Sequence, residues 1–401
     1  FGDDLVLGFD GGILYTWDAT NGTSTRGVRV DGLAGASGVP TTHNNLLVSD
    51  VSRFVFCLGA NPFGSSDIDP LLIRWSDQES LVDWTPSATN QAGSLRLSQG
   101  SKIVTGANSR QSVLVWTDAA LYSLQYVGAP IVWGANLVGE NISIASKNAV
   151  AYANGIAYWM GTDKFYKYDG RTETLKCDLR RYVFNDFDVN QYEQVFAGTN
   201  ESFNEIWWFY CAVSGQIVGS SVPNRYVIYN YAEDVWYYGN LTRTAWVDSG
   251  ARDHPLAATT SGKLVEHEQG LDDRESELPL PITAFITSAD FDLDDGDRFV
   301  LVNKIIPDVT FDGSTAENPS AFIQLGSRRN SGSGLANPAS EGGSFGGEIT
   351  RSFPDPNETF TDQLSVRVRG RQLLLRIGSQ NEGVQWQLGA PRLHMRPDGR
   401  R

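Results

Sequence analysis

The residues that could do chemistry in this 401-residue chain form a few separate groups, and each implies a different reaction. Gly342-Gly-Ser344-Phe-Gly346 fits the GxSxG pattern of a serine nucleophile. That chemistry needs a strand before the serine and a helix after it, so that the hydroxyl stands on a sharp turn. The flanking sequence, Ser327 to Gly347, is dense in Gly, Ser and Asn and favours a long loop, so the match follows from composition. Asp290, Asp292 and Asp294 alternate like the first ligands of a calcium loop. The loop glycine should follow the third ligand directly, yet Asp295 intervenes, and Leu301 stands where a bidentate carboxylate is required. An acidic turn between strands is the stronger reading, with an irregular metal site at Asp290, Asp292 and Asp294 kept as the alternative.

The three cysteines, Cys57, Cys177 and Cys211, form no CxxC pair and are odd in number, so they read as small apolar residues rather than a disulfide framework. His43, His254, His267 and His394 fall at no zinc-ligand spacing relative to them. Phosphate-cradling GxxxxGK[ST], GxGxxG before a helix, HExxH and the zinc-deaminase signature are all missing from the sequence, so no catalytic residue and no cofactor is assigned. Tryptophans 75, 84, 116, 133, 159, 207, 208, 236 and 246 could stack on sugars, but aromatic residues favour strands and bury large areas, so most are expected in the core or between packed sheets. A glycosidase would need two carboxylates at a set separation, and among 47 acidic residues the sequence does not say which two converge.

The elements that would position these residues are strands. Short β-branched and aromatic runs punctuated by Gly, Asn and Asp recur along the chain, while amphipathic helical patterns are scarce. Ser112 to Tyr126 reads as two strands reversed at Thr117 and Asp118. Val150 to Ala153, Asn154-Gly155 and Ile156 to Met160 read as a hairpin on a type I′ turn, because Asn-Gly tolerates two positive φ angles. Leu5 to Trp17, Lys164 to Gly170, Glu205 to Tyr210 and Tyr226 to Gly239 repeat the same grammar. Repeated three- or four-stranded units ending in aromatic residues predict an all-β chain with a β-propeller-like domain over residues 1–270.

An acidic, then proline-bearing segment at 271–281 predicts a linker. A C-terminal β-sandwich is expected over 282–401, from strands at Ile282 to Ser288, Phe299 to Val309, Ala321 to Leu325, Leu364 to Arg369, Leu373 to Ile377 and Val384 to Leu388. This domain ends rich in arginine. Arg367, Arg369, Arg371, Arg392 and Arg396 are candidates for an interface with another subunit or a neighbouring protein, and solvated faces of exposed strands are the plainer alternative.

Net charge of −15 argues against general nucleic-acid binding, which needs clustered Lys and Arg. An acidic wall repels DNA, which suits a channel that DNA must pass without sticking. No apolar run is long enough for a membrane span, and the beginning lacks the basic-then-apolar order of a signal peptide. The chain starts at Phe1 rather than Met, which suggests a processed chain or the later part of a longer gene product.

Several segments together resemble the tail nozzle or hub proteins of short-tailed bacteriophages, also described as packaged-DNA stabilisation proteins. They are Asp69-Pro-Leu-Leu-Ile-Arg-Trp-Ser-Asp-Gln-Glu79 with Asp83-Trp-Thr-Pro86, Leu97-Ser-Gln-Gly-Ser-Lys-Ile-Val104, Glu140-Asn-Ile-Ser143, Phe165-Tyr-Lys-Tyr-Asp-Gly170, Glu205-Ile-Trp-Trp-Phe-Tyr210 and Thr244-Ala-Trp246. Gln385-Trp-Gln-Leu-Gly-Ala-Pro-Arg392 and Arg396-Pro-Asp-Gly-Arg-Arg401 close the series. The resemblance runs in order from about Leu33 to the end and contains no catalytic signature. It implies a structural virion protein of the phage tail, not an enzyme. Such a subunit would assemble as a ring, a hexamer, between portal-side adaptor proteins and tail fibre or needle proteins. DNA would pass through it without specific binding, and no membrane insertion is implied. The competing expectation is a glycan-binding or glycan-cleaving tail component, and a scaffold from a non-phage propeller family is a third.

Overall fold

The computed structural model describes all residues except 1, 3, 51, 215–221, 251, 277, 293–295, 331–348, 354–362, 400 and 401. It is almost entirely β, and its chain divides into two compact units, Phe1–Glu268 and Gln269–Arg401.

Unit 1 is β-propeller-like. Six antiparallel meanders follow one another in chain order among the described residues, each pairing only neighbours in sequence. Blade 1 is Leu5–Gly8, Leu14–Trp17 and Val28–Arg29. Blade 2 is His43–Val48, Val55–Ala60, Leu72–Trp75 and Gly93–Arg96. Blade 3 is Ile103–Asn108, Val113–Thr117, Ala120–Gly128 and Val132–Glu140. Blade 4 is Val150–Ala153, Ile156–Met160, Phe165–Tyr168 and Thr172–Thr174. Blade 5 is Phe196–Asn200, Glu205–Tyr210, Arg225–Asn230 and Val235–Asn240. Blade 6 is Ala245–Val247, Leu256–Ala258 and Leu264–Glu266. The first strands of blades 1 and 2, 2 and 3, 4 and 5, and 5 and 6 lie side by side.

Strand alternation explains why so many residues are apolar on both faces. A blade buried between two others must present core side chains to each. Glu205–Tyr210 does this with all but its first residue buried. Ile206, Trp208 and Tyr210 join the cluster shared with blades 3 and 4, while Trp207 and Phe209 join the one shared with blade 6. Two further clusters join blades 1 and 2, around Trp84 and Cys57, and blades 2 and 3, around Phe56, Trp75 and Trp133. Of the nine tryptophans expected to pack, seven are buried, with Trp236 and Trp246 half-buried. The hairpin at Asn154-Gly155 has φ of 51° and 83°, the two positive angles that a type I′ turn requires.

Unit 2 is a β-sandwich. A large sheet has the order Ala284–Thr287, Gln372–Ser379, Ala321–Arg328, Ile349–Phe353, and a small sheet the order Leu364–Gly370, Val300–Ile306, Arg392–Pro397. Val300, Val302 and Val368 of the small sheet share one core with Ile323, Leu325 and Ile377 of the large one. Two expectations need correction, and one strand was not expected. The 271–281 segment is not a bare linker, since Asp272–Asp273 pairs with Leu280–Pro281 and Asp272 Oδ1 accepts a bond from Gly383 N at 2.7 Å. The strand expected at Val384 to Leu388 shrinks to Gln387–Leu388, and the arginine-bearing Arg392–Pro397 is a full strand the sequence reading lacked.

Candidate functional site: an arginine-bearing sheet face

The small sheet of unit 2 turns four arginines outward. In Leu364–Gly370, Val366 and Val368 are buried, so strand alternation sends Arg367 and Arg369 to the exposed side. In Arg392–Pro397, half-buried Leu393 and Met395 pack on the core, which puts Arg392, His394 and Arg396 on the exposed side. Register then sets the rows. Leu301 pairs with Arg369 on one side and Arg396 on the other, Lys304 pairs with Ser365 and His394, and Ile306 pairs with Arg392. His394 Nδ1 is held 2.7 Å from Asn303 Oδ1. None of these three strands contains an Asp or Glu.

Two arginines on either side of one strand are roughly 10 Å apart at ordinary strand spacing. That is about one Debye length at physiological salt, so their repulsion is small while their fields add toward an approaching anionic surface. Arg369 Nε donates to Asp398 Oδ2 at 2.5 Å, and its guanidinium lies 4.1 Å from the Phe299 ring centroid. Arg371 sits at the hairpin end, half-buried, 5.2 Å from the same ring.

Of the calcium-loop candidates, the two described ones each have a partner of their own. Asp290 pairs with Arg328 Nε at 2.8 Å, Asp292 accepts from Gln372 Nε2 at 3.4 Å, and Asp294 lies outside the described residues, as does Ser344. No cluster of three or more His, Cys, Asp or Glu fit to hold a metal occurs among the described residues. The cysteines are free, Cys57 and Cys211 buried, and burial pushes the Cys57 and Cys177 thiols up, Cys177 to about 12, which keeps them protonated.

Unit 1 brings together a carboxylate pair that the sequence could not single out. Asn200 Nδ2 donates to Glu205 Oε2 at 3.4 Å and to Glu268 Oε1 at 3.2 Å, and Trp207 Nε1 donates to Glu205 Oε2 at 2.9 Å. Burial raises the Glu205 carboxyl above its ordinary value, the nearby Glu268 adds to this, and the bonds from Trp207 and Asn200 oppose it. Burial likewise raises Glu268, against the Asn200 bond and the charge of His254. These residues lie 63 positions apart in sequence at the ends of different blades, which is why no local pattern marked them.

No family model matches this chain, and no curated protein matches it. Among solved structures it is similar to Hsv2p of Kluyveromyces lactis, at 10% identity and a TM-score of 0.37 over 66% of this chain and 70% of that one. It is also similar to apo AztD from Citrobacter koseri, at 10% identity and 0.33 over 66% and 78%. An exo-β-1,3-galactanase from Phanerochaete chrysosporium with galactose matches at 9% identity and 0.29 over 98% and 100%. The propeller-like description of unit 1 rests on its own strand order.

Proposed function

We propose that this chain is a structural subunit of a short-tailed phage's tail nozzle, assembling as a ring around the path by which DNA leaves. The observation that carries this reading is the outward face bearing Arg367, Arg369, Arg392 and Arg396, set in a chain of net charge −15. Ring contacts are heterologous, so each subunit needs two different and complementary patches. A basic sheet face and an acidic body supply them. The family resemblance supports the same role, and blades joined through interlocked aromatic residues suit a wall of fixed bore. The acidic remainder keeps DNA from adhering. Portal-side and fibre or needle proteins would be its neighbours, and the virion its location. Native mass spectrometry of the full chain, with electron microscopy of the same sample, tests this. Closed rings, six-fold on the family's pattern, are expected; a strictly monomeric particle at high concentration overturns it.

A second, glycan-directed reading has one observation in its favour, the Glu205–Asn200–Glu268 cluster beside Trp207. Cleavage of a polysaccharide that is lost in both Glu205→Gln and Glu268→Gln, by a protein that forms no rings, would establish it in place of the first.

A further inference from the structure

We propose that the arginine-bearing sheet face of unit 2 docks on the tip of blades 5 and 6 in unit 1 of a second copy of this chain. This inference rests on the nozzle reading and adds to it the particular acidic surface that the arginines meet. Strand register builds that tip. Asn200, Glu205, Asn230 and Val235 form one row across blade 5, so the loops 201–204 and 231–234 leave the sheet at the same level. They lie two strand spacings apart, roughly 10 Å. Asn230 Nδ2 donates to Phe203 O at 3.0 Å and Tyr231 N to Asn204 O at 2.9 Å, which ties one loop to the other. Asn230 Oδ1 accepts from Ala232 N and Glu233 N, which fixes the second loop. Glu201 N donates to Asp248 Oδ2 at 3.0 Å, so the first loop of blade 6 stands beside the first loop of blade 5. Leu256 follows that loop and pairs with Glu266, which brings Glu266 to the same end.

The charge on this tip is not neutralised locally. In blades 2 to 4 exposed carboxylates are paired off, Glu79 with Arg53, Asp69 with Arg96, Asp163 with Arg180, and Glu173 with Arg171 and Lys167. At the tip of blades 5 and 6, Glu201, Glu233, Asp253 and Glu266 are all exposed, and none is held in an ion pair among the described residues. Arg252 is the single Lys or Arg in these loops. Tyr231 registers the resulting field: burial raises its hydroxyl above the ordinary value, and the charges of Glu201 and Asp248 raise it further. The sheet face has the opposite character on the same scale. Arg392 and Arg396 stand four residues apart on one strand, roughly 13 Å, and Arg367 lies two strands away, roughly 10 Å across the sheet. All three are exposed and carry no ion pair among the described residues. Loops held by their own hydrogen bonds and arginines rooted in a packed sheet bring the two patches together with little left to order. A contact between two different patches is heterologous, as closure of a ring demands.

Analytical ultracentrifugation of the full chain at 50 mM salt tests the contact with two charge-reversed double variants, Arg392→Glu with Arg396→Glu and Glu201→Lys with Glu233→Lys. Each variant alone sets like charges against one another and should fall to monomer. An equimolar mixture of the two should reassemble, because each altered patch then meets the altered patch of the other variant and each native patch meets a native one. The product is an alternating ring, and its recovery shows that both variants are folded. If either reversal prevents folding, the milder Glu201→Gln with Glu233→Gln decides, with association expected at least tenfold weaker than the parent's. Rings that persist in Glu201→Lys with Glu233→Lys, an unchanged association in the glutamine variant, or a mixture of folded variants that stays dissociated overturns this contact and leaves the nozzle reading standing. Assembly of the parent only when duplex DNA is added assigns the arginines to phosphate and overturns the contact as well. A parent that is strictly monomeric overturns both, so the two failures are separate results.

Discussion

The indole of Trp207 stacks on that of Trp246, centroids 5.0 Å apart and planes 18° from parallel, so a residue of blade 5 is bonded face to face with one of blade 6. Its chain neighbour Trp208 points the other way, where it meets Phe165 of blade 4 at 5.0 Å and donates from Nε1 to Ala149 O at 3.0 Å. Adjacent residues therefore join three consecutive blades.

Trp208 is fully buried and Trp207 nearly so. Trp208→Ala removes a large side chain from the shared core of blades 3, 4 and 5, and the expected cost is about 3–5 kcal/mol, as for other buried tryptophan deletions. Trp207→Ala should cost less, because its partner Trp246 is half-buried and can settle into the gap. Urea unfolding of the two variants checks the order, and an equal or reversed ranking would count against boundary packing as the source of stability.

The same boundary explains Gly198. A Cβ built there would lie 2.2 Å from Trp246 Cδ1, so Gly198→Ala must push the indole off its stack with Trp207. Overpacking of this kind costs about 1–3 kcal/mol. The double variant Gly198→Ala with Trp246→Ala should recover part of that loss, which a thermal double-mutant cycle would measure.

The hairpin Asn154-Gly155 was legible because two residue types name a turn with two positive φ angles, and the strands on either side fall where their apolar runs do. The aromatic runs likewise announced blades. What stayed hidden has a common cause. Arg392–Pro397 alternates arginine and histidine with leucine and methionine, so its polar half masked a strand whose other half packs on the core. Asp272–Asp273 pairs despite poor strand propensity because a side-chain bond to the Gly383 turn holds it. Glu205 and Glu268 meet only through tertiary folding, across the boundary of blades 5 and 6, and no spacing rule could join them. The arginines were visible individually, and their common face became visible only once strand alternation and register were fixed.

The raised carboxyl of Glu205 makes a signed pH prediction. A folded-state value above the unfolded one means that folding favours the protonated form, so the associated stability is present below the ordinary value of 4.5 and is lost as pH rises through the higher folded value. Glu205→Gln keeps an oxygen for the Trp207 N–H and removes that dependence. Its melting temperature should match or fall below the parent's at pH 4 and exceed it at pH 8. A difference that does not change between the two pH values would mean that burial does not hold the carboxyl up.

The arginine face makes the last prediction, on association. Arg369 and Arg396 flank Leu301 on the exposed side of the small sheet, while Val300, Val302 and Val368 beneath them are fully buried. Charge reversal at the two exposed positions, Arg369→Glu with Arg396→Glu, therefore leaves the core untouched. It does remove the bond from Arg369 to exposed Asp398 and its contact with the Phe299 ring, but an exposed ion pair is worth only about 0–1 kcal/mol and an exposed cation–π contact about 0.5–1 kcal/mol, so the melting temperature should move by a few degrees at most. Association should respond far more strongly, because two cations become two anions facing an acidic partner. Analytical ultracentrifugation should find the parent assembled at 50 mM salt and progressively dissociating as salt screens the contact, with the double variant dissociated throughout. Arg171→Glu is the internal control, since that exposed side chain belongs to unit 1 and not to this sheet. It should assemble like the parent, and dissociation by Arg171→Glu equal to that of the double variant would show that overall charge, and not this face, drives association.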